Sequence, residues 1–253
     1  MRVVVIGKGG AGKSVIAGTL ARLLARDGAR VLALDSDPLP GLSLSLGTGP
    51  EPTEPLLLQA NQQDERGYWS WREGVDAVSA AVDYATLAPD GVRLLRRGKV
   101  AGDGVGASIG ATKAFVEIGR ALVDAPEFRD WTLIGDLPAG PRQLAENWAP
   151  YARTYLVVVQ PGMQSILSAR RMARVARQAP GVEVVFVANR VAGRDDVDRI
   201  ERWIGESVLT CVPNDAELAA AERLGVAPID HAPGSSAIAA IGDLVAALSR
   251  VRT

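Results

Sequence analysis

The run Val3-Val4-Val5-Ile6-Gly7-Lys8-Gly9-Gly10-Ala11-Gly12-Lys13-Ser14 decides the fold. It satisfies G-x-x-x-x-G-K-[ST], the phosphate-loop pattern, and its surroundings satisfy the context the pattern needs. A short apolar run that reads as a buried strand precedes the glycines, and a helical segment from Val15 to Ala25 follows them. Glycines let the backbone curl so that successive N–H groups point inward at phosphate oxygens, and the helix N-terminus adds its positive dipole. The cradle comprises Gly9, Gly10, Ala11, Gly12, Lys13, Ser14 and Val15. In it Lys13 reaches the outer phosphates and the Ser14 hydroxyl ligates Mg2+. A glycine-rich turn that binds nothing is the alternative. All four fixed positions of the pattern are present at the first strand, so the expectation is a bound nucleoside triphosphate with Mg2+.

Working outward, short apolar runs alternate with longer amphipathic ones. The strand candidates are Arg2–Ile6, Arg30–Leu34, Val92–Arg96, Trp131–Asp136, Thr154–Gln160, Val182–Ala188 and Val208–Val212. Helices are expected at Lys13–Ala25, Thr112–Val123, Arg142–Trp148, Gln164–Gln178, Asp195–Ile204, Asp215–Leu224 and Ser236–Val251. This rhythm predicts a three-layer α/β sandwich: a mostly parallel, doubly wound sheet of about seven to eight strands with helices on both faces, the phosphate-loop NTPase architecture. A single phosphate-loop domain is expected over 1–253, with an insertion at 47–91 where prolines interrupt regular structure. Paired Trp69 and Trp71 in that insertion read as pins holding it to the body, with a partner-binding feature as the alternative.

Composition narrows the class further. The chain is 47% hydrophobic with a formal net charge of -1, which argues against a chain-wide polyanion binder. A single cysteine, Cys211, excludes an intrachain disulfide framework and a one-chain thiolate cage; it reads as a buried, inert thiol. No signal peptide is evident and no apolar stretch approaches the ~20 residues of a membrane span, so a cytoplasmic protein is expected.

Carboxylates stand where the phosphate loop needs them. The second strand runs into Asp35-Ser36-Asp37-Pro38, and ligands in such sheets gather beyond the carboxyl ends of strands. Asp35 and Asp37, on alternate residues, can position a water for in-line attack or hold metal-bound water. The fourth strand closes on Asp136, a second Mg2+-side element, and the turn Pro138-Ala139-Gly140 brings the Gly140 N–H toward a γ-phosphate.

With these residues in hand the chain resembles the MinD/ParA/nitrogenase-iron-protein/ArsA class of ATPases. Lys8-Gly9-Gly10-Ala11-Gly12-Lys13-Ser14 matches that class's deviant loop K-G-G-x-G-K-[ST]. Asp35–Pro38, Asp136–Gly140, Val187-Ala188-Asn189-Arg190, Val212–Asp215 and Ala221–Gly225 follow in family order. The resemblance implies that Lys8 acts in trans across a homodimer assembled by ATP, and that Asp37 orients the attacking water. It implies that Ser14 binds Mg2+ directly and Asp136 through water. It also implies that Asn189 hydrogen-bonds the adenine edge, with Pro213, Asn214 and Asp215 closing over the base. The reaction implied is ATP hydrolysis to ADP and phosphate, slow and stimulated by a protein client.

Within the class, Leu94–Ala107 is similar to a segment of the carbon monoxide dehydrogenase maturation ATPases, which load nickel. Where that family has C-x-C, this chain has Val105 and Ala107, which offer no soft ligand, so the nickel function does not transfer. An iron–sulfur cluster of the nitrogenase type is excluded for the same lack of cysteine. Relatives also carry a polar residue near position 41, occupied here by Gly41. The expectation is an ATP-driven dimerisation switch acting on an unknown protein client, with the glycine-rich 98–111 segment as the candidate partner-facing loop. The competing readings are a positioning or partition ATPase on DNA or membrane, and a nucleotide-binding regulator with little hydrolysis. The apolar stripe Ile238, Ile241, Leu244, Val245, Leu248 and Val251 reads as core-covering rather than membrane-binding. Arg170, Arg171, Arg174 and Arg177 keep DNA open, although a solvated charged face is the commoner explanation. His231 reads as a loop residue rather than a base.

Overall fold

A computed structural model describes residues 1–37, 41–49, 56–98 and 105–251. Its strands are β1 Arg2–Gly7, β2 Val31–Asp35, β3 Asn61–Gln63, β4 Trp69–Trp71, β5 Thr86–Leu87, β6 Arg93–Arg96, β7 Thr132–Asp136, β8 Thr154–Val159, β9 Glu183–Val191 and β10 Thr210–Pro213. Its helices are α1 Lys13–Arg26, α2 Gly41–Leu46, α3 Ala77–Asp83, α4 Val105–Ala121, α5 Arg142–Ala145, α6 Met163–Ala176, α7 Arg194–Ile204, α8 Ala216–Leu224, α9 Pro228–His231 and α10 Ser236–Val251. Among the described residues eight strands form one sheet in the order β10-β9-β8-β1-β7-β2-β6-β5, in which only the β5–β6 pair is antiparallel. The expected architecture is the observed one.

The strands are continuous runs of Val, Ile and Leu because both faces of the sheet are covered. Side chains alternate across a strand. Val3 and Val5 therefore join one core with Ile16 and Leu20 of α1 and Ile241, Leu244 and Leu248 of α10. Val4 and Ile6 join the other with Phe115 and Ile118 of α4, Ile166 and Met172 of α6, and Ile200 of α7. The α10 stripe is thus spent on the core, as its spacing predicts, while the Val251 side chain lies outside the described residues.

β1 is flanked by β7 and β8, so the chain winds away from it in both directions. The loop after β1 therefore opens at the carboxyl edge of the central strands, the position where such sheets bind ligands.

Two expectations change. The 98–111 segment is not a loop throughout: α4 begins at Val105, seven residues before the expected Thr112, while 99–104 lie outside the described residues. Glycines at 106 and 110 lower intrinsic helix propensity, but Ala114, Phe115 and Ile118 bury the helix and packing prevails. The 47–91 segment is also more ordered than its prolines suggest. It contributes β5 to the edge of the main sheet, the β3–β4 hairpin, and α3, which is capped by Asp76 accepting from Val78 and Ser79. The paired tryptophans pin it down. Trp71 packs on the core, and the Trp69 ring lies against Gly110 of α4 so closely that a Cβ there would sit 2.5 Å from it. Asn61, buried, donates to the Gly110 carbonyl at 2.8 Å, and Lys113 donates to the Trp69 carbonyl at 2.9 Å. The Pro50–Pro55 stretch lies outside the described residues.

Candidate nucleotide-binding site

The phosphate loop hangs between β1 and α1. Gly10 and Gly12 have φ of 75° and 90°, values glycine reaches without strain, and Gly12 sits where α1 begins. Within the loop the Ala11 N–H donates to the Lys8 carbonyl at 3.1 Å. Two neighbouring strands brace it from outside. Gln160, just past β8, donates to the Gly10 carbonyl at 3.1 Å, and Asn189 of β9 donates from Nδ2 to the Ala11 carbonyl at 2.7 Å. A side chain on Gly12 would collide with that same Asn189 amide. Gln160 was not legible as a site residue; its only signal is its place at the carboxyl end of a strand beside β1.

The acidic side is compact. Lys13 is 8% exposed and Asp136 2% exposed. Ser14 donates to the Asp136 carboxylate, and Asp136 Oδ1 is buried without a hydrogen-bond partner among the described residues. Burial pushes the Asp136 carboxyl up to about 6, while Lys13 and the Ser14 hydroxyl pull it back and Asp37 adds repulsion. Asp35 stands beside Asp136 across the β2–β7 pair. Its carboxyl is raised well above the usual range, first by burial and then by Asp136, despite Arg96 next to it on β6. Asp35 Oδ1 accepts from the Asp37 amide at 3.0 Å, so Asp35 shapes the turn that carries Asp37. Asp37 itself is half-buried, and Pro38 after it lies outside the described residues.

Asp136 also anchors that turn through its backbone: its carbonyl accepts from the Ser36 N–H at 3.2 Å and from the Ser36 hydroxyl at 2.8 Å. Gly41, where a polar residue was noted as missing, opens α2 directly against Ser14. A Cβ at 41 would lie 2.8 Å from Ser14 Oγ, so here glycine is what the packing admits. Across the loop, Ala139 lies against Gly9: a Cβ on Gly9 would lie 3.5 Å from the Ala139 Cβ. Gly140 has φ of 98° with open space beside it. Lys8 is half-buried, and its carbonyl accepts the Ala11 N–H within the loop.

Continuous with Gly12 and Val15 is a cavity of about 170 Å³ that also has Asn189, Pro213, Asn214 and Asp215 in its wall. The structure commits one N–H of the Asn189 amide to the loop carbonyl, which leaves its second N–H and its carbonyl oxygen as the remaining donor and acceptor. Asp215 is also structural, capping α8 through the Glu217 N–H at 2.9 Å and reaching Ser236 and the Ala237 N–H of α10 at 3.3 Å each. Arg190 completes the wall with φ of 58°, an uncommon value for a residue with a side chain, and lies 3.9 Å from Glu222. A larger cavity of about 670 Å³ opens at the opposite ends of β2 and β6, beneath Trp131, Arg30 and Arg93; none of the expected site residues lines it.

Residues 3–229 match the family model described as the CobQ/CobB/MinD/ParA nucleotide binding domain. The chain belongs to that family. It is 29% identical over 234 residues, 89% of this chain and 90% of the relative, to an uncharacterised ATP-binding protein of Methanocaldococcus jannaschii. It is 27% identical to the carbon monoxide dehydrogenase accessory protein CooC of Rhodospirillum rubrum, covering 92% of this chain and 91% of that protein. The crystal structure of a ParA family ATPase from Chlorobium tepidum superposes with a TM-score of 0.73 at 20% identity, covering 97% of each chain. A deviant phosphate loop of the MinD/ParA kind, with likeness to CooC, is therefore what the chain has.

Several further expectations meet the structure. Among the described residues no cluster of three or more His, Cys, Asp or Glu side chains is placed to hold a metal ion, and the side chains of Val105 and Ala107 lie outside them. Among the described residues no helix is long and apolar enough to cross a membrane. Cys211 is half-buried rather than buried, and burial raises its thiol. His231 closes the short helix α9 instead of lying in a loop, 3.3 Å from Glu217. Arg170, Arg171, Arg174 and Arg177 are exposed along α6, and Arg177 is held by Glu206 at 2.6 Å.

Missed altogether were Arg96 and Arg97, adjacent at the carboxyl end of β6. Arg97 donates from Nε to the Ser36 carbonyl at 3.1 Å and from Nη1 to Thr112 Oγ1 at 3.2 Å, with its guanidinium 5.7 Å above the Trp148 ring. Two arginines ending a strand one place from Asp35–Asp37 were the available signal.

Proposed function

We propose that the protein is a Mg-ATP-dependent dimerisation switch that hydrolyses ATP slowly and acts on a protein client. The observation that carries it is the joining of Lys13, Ser14 and Asp136 at one end of the curled loop to the Asn189-lined cavity at the other. That arrangement fits a polyphosphate at the first and an adenine-sized ring at the second. Family membership and likeness to proteins named for ATP binding and for an accessory role support the same reading.

The donor set fits Mg2+ rather than a caged transition metal. One hydroxyl and one buried carboxylate oxygen that has no hydrogen-bond partner among the described residues, beside a phosphate cradle, suit a hard cation that keeps several waters. Ser14 would hold the ion and Asp136 would orient its hydration; the bound ion supplies charge neutralisation on the phosphates. The chain's own groups do the rest. The loop N–H groups and Lys13 bind the phosphates, and Asp37, on a turn set by Asp35 and Ser36, orients the attacking water and accepts its proton. Lys8 reaches a partner's nucleotide in trans, which makes ATP the link between two copies.

Titrating Mg-ATP into wild-type protein and Lys13→Ala by calorimetry tests the binding core of this reading. Saturable binding by wild type and its loss in the variant are expected; equal affinity for both would overturn it. The membrane version of the competing reading loses support because the α10 stripe is buried.

A further inference from the structure

We propose that Arg97 is a positioning residue for hydrolysis: its guanidinium holds the Ser36–Asp37 turn and takes its own place from Thr112 of α4 and from Trp148. The inference rests on the reading above that Asp37 orients the attacking water.

Four observations converge on this side chain. First, its backbone N–H pairs with the Asp35 carbonyl at 2.9 Å, so β6 and β2 are still in register when Arg97 emerges. Second, Nε donates to the Ser36 carbonyl at 3.1 Å, the peptide immediately before Asp37. Third, burial disfavours the Arg97 charge, while the negative charges of Asp37 and then Asp35 favour it. Fourth, the opposite edge of the fork is held at 3.2 Å by Thr112 Oγ1 while Trp148 lies beneath the plane at 5.7 Å. Guanidinium is the group suited to this task. It is planar, keeps its charge when half-buried, and presents donors along two edges in a fixed relation. A lysine offers the charge without the fork.

Each anchor belongs to a different segment of the chain. The Ser36–Asp37 turn follows β2. Thr112 lies on α4, directly downstream of the 98–111 segment. Trp148 follows α5 and the Asp136–Gly140 stretch, and its indole N–H is fixed to Glu146 at 3.0 Å, which in turn pairs with Arg142 at 2.9 Å. Arg97 is thus a joint among three segments. A displacement of the first turns of α4 withdraws Thr112 from the fork and loosens the turn carrying Asp37. Contact at the start of α4 can reach the water-orienting carboxylate through one side chain, and this gives a protein client a physical route to the rate of turnover.

The test is steady-state ATP hydrolysis by wild type, Arg97→Gln, Arg97→Lys, Thr112→Val and the Arg97→Gln/Thr112→Val double variant, with ATP affinity measured separately. Arg97→Gln should lower kcat about tenfold or more while ATP affinity stays within about threefold, because the residue acts on water orientation and not on the phosphates. Thr112→Val should cost about threefold in kcat, and the double variant should be no slower than Arg97→Gln alone, since both act through one fork. Arg97→Lys should recover part of the loss. If wild type turns over ATP and Arg97→Gln keeps kcat within twofold, or the two losses multiply in the double variant, the positioning role is wrong while the ATPase reading stands. If wild type binds no ATP or hydrolyses none, both fail. Should Arg97→Gln not fold, unchanged kcat in both Arg97→Lys and Thr112→Val overturns the proposal.

Discussion

The phosphate loop and the hairpin–α4 unit lie on the same molecule but are held by different kinds of constraint. Around Gly7–Ser14 the chain must curl, approach other backbone and expose N–H groups, and only particular residue types allow that. A Cβ at Gly7 would lie 2.8 Å from the Val158 carbonyl oxygen, and one at Gly12 would strike Asn189. Around Asn61–Trp71 and α4 the constraint is side-chain packing between segments some 45 residues apart in sequence, exemplified by Trp69 on Gly110 and Lys113 on the Trp69 carbonyl. The first kind of constraint is written locally; the second exists only once the fold has formed. The loop should therefore control ligand affinity and the hairpin stability, with little exchange between the two.

The largest break expected on the loop side is Lys13→Ala, which removes a buried charged donor and should weaken ATP binding by about 10²-fold or more, read by calorimetry. Next, Asp37→Asn should leave that affinity within about threefold yet slow hydrolysis about 10²-fold, read by phosphate release. On the packing side, Gly110→Val drives a branched side chain into the Trp69 ring. It should destabilise by about 1–3 kcal/mol through overpacking, a fall in Tm of several degrees, with ATP affinity unchanged within about twofold. An affinity loss as large as that of Lys13→Ala would erase the contrast between the two regions.

The smallest effect sharpens the contrast inside the site. Asp136 has a folded-state pKa raised to about 6 by burial, so in nucleotide-free protein its contribution favours folding below about pH 4 and is lost as pH rises through about 6. Asp136→Asn, which cannot ionise, should therefore gain a few degrees in Tm over wild type at pH 8 and lose that advantage by pH 4, followed by differential scanning fluorimetry. A constant gap across that range would mean that the charge is not what the site bears.

Much of this was legible in advance, for identifiable reasons. Val3–Ser14 gave strand, loop and helix together because its residue types tolerate few other conformations. The alternation of apolar runs gave the eight-stranded sheet except β5, whose two residues carry no periodicity. Asn189 and Asp215 were placed by motif order, but not the bonds that spend part of their capacity on the loop and on α8. The start of α4 was hidden by glycines that local propensity counts against a helix and burial of Phe115 and Ile118 overrides. Arg97 was hidden for another reason: its partners Ser36, Thr112 and Trp148 are scattered along the chain, and nothing short of the folded sheet brings them to one guanidinium.

Light scattering on the Asp37→Asn variant, which should retain ATP, addresses the central claim most directly. With Mg-ATP the mass should double relative to the nucleotide-free and ADP-bound protein, and a Lys8→Ala change in the same background should abolish the doubling without abolishing ATP binding. A protein that binds Mg-ATP through this loop yet keeps one mass in every nucleotide state would contradict the account.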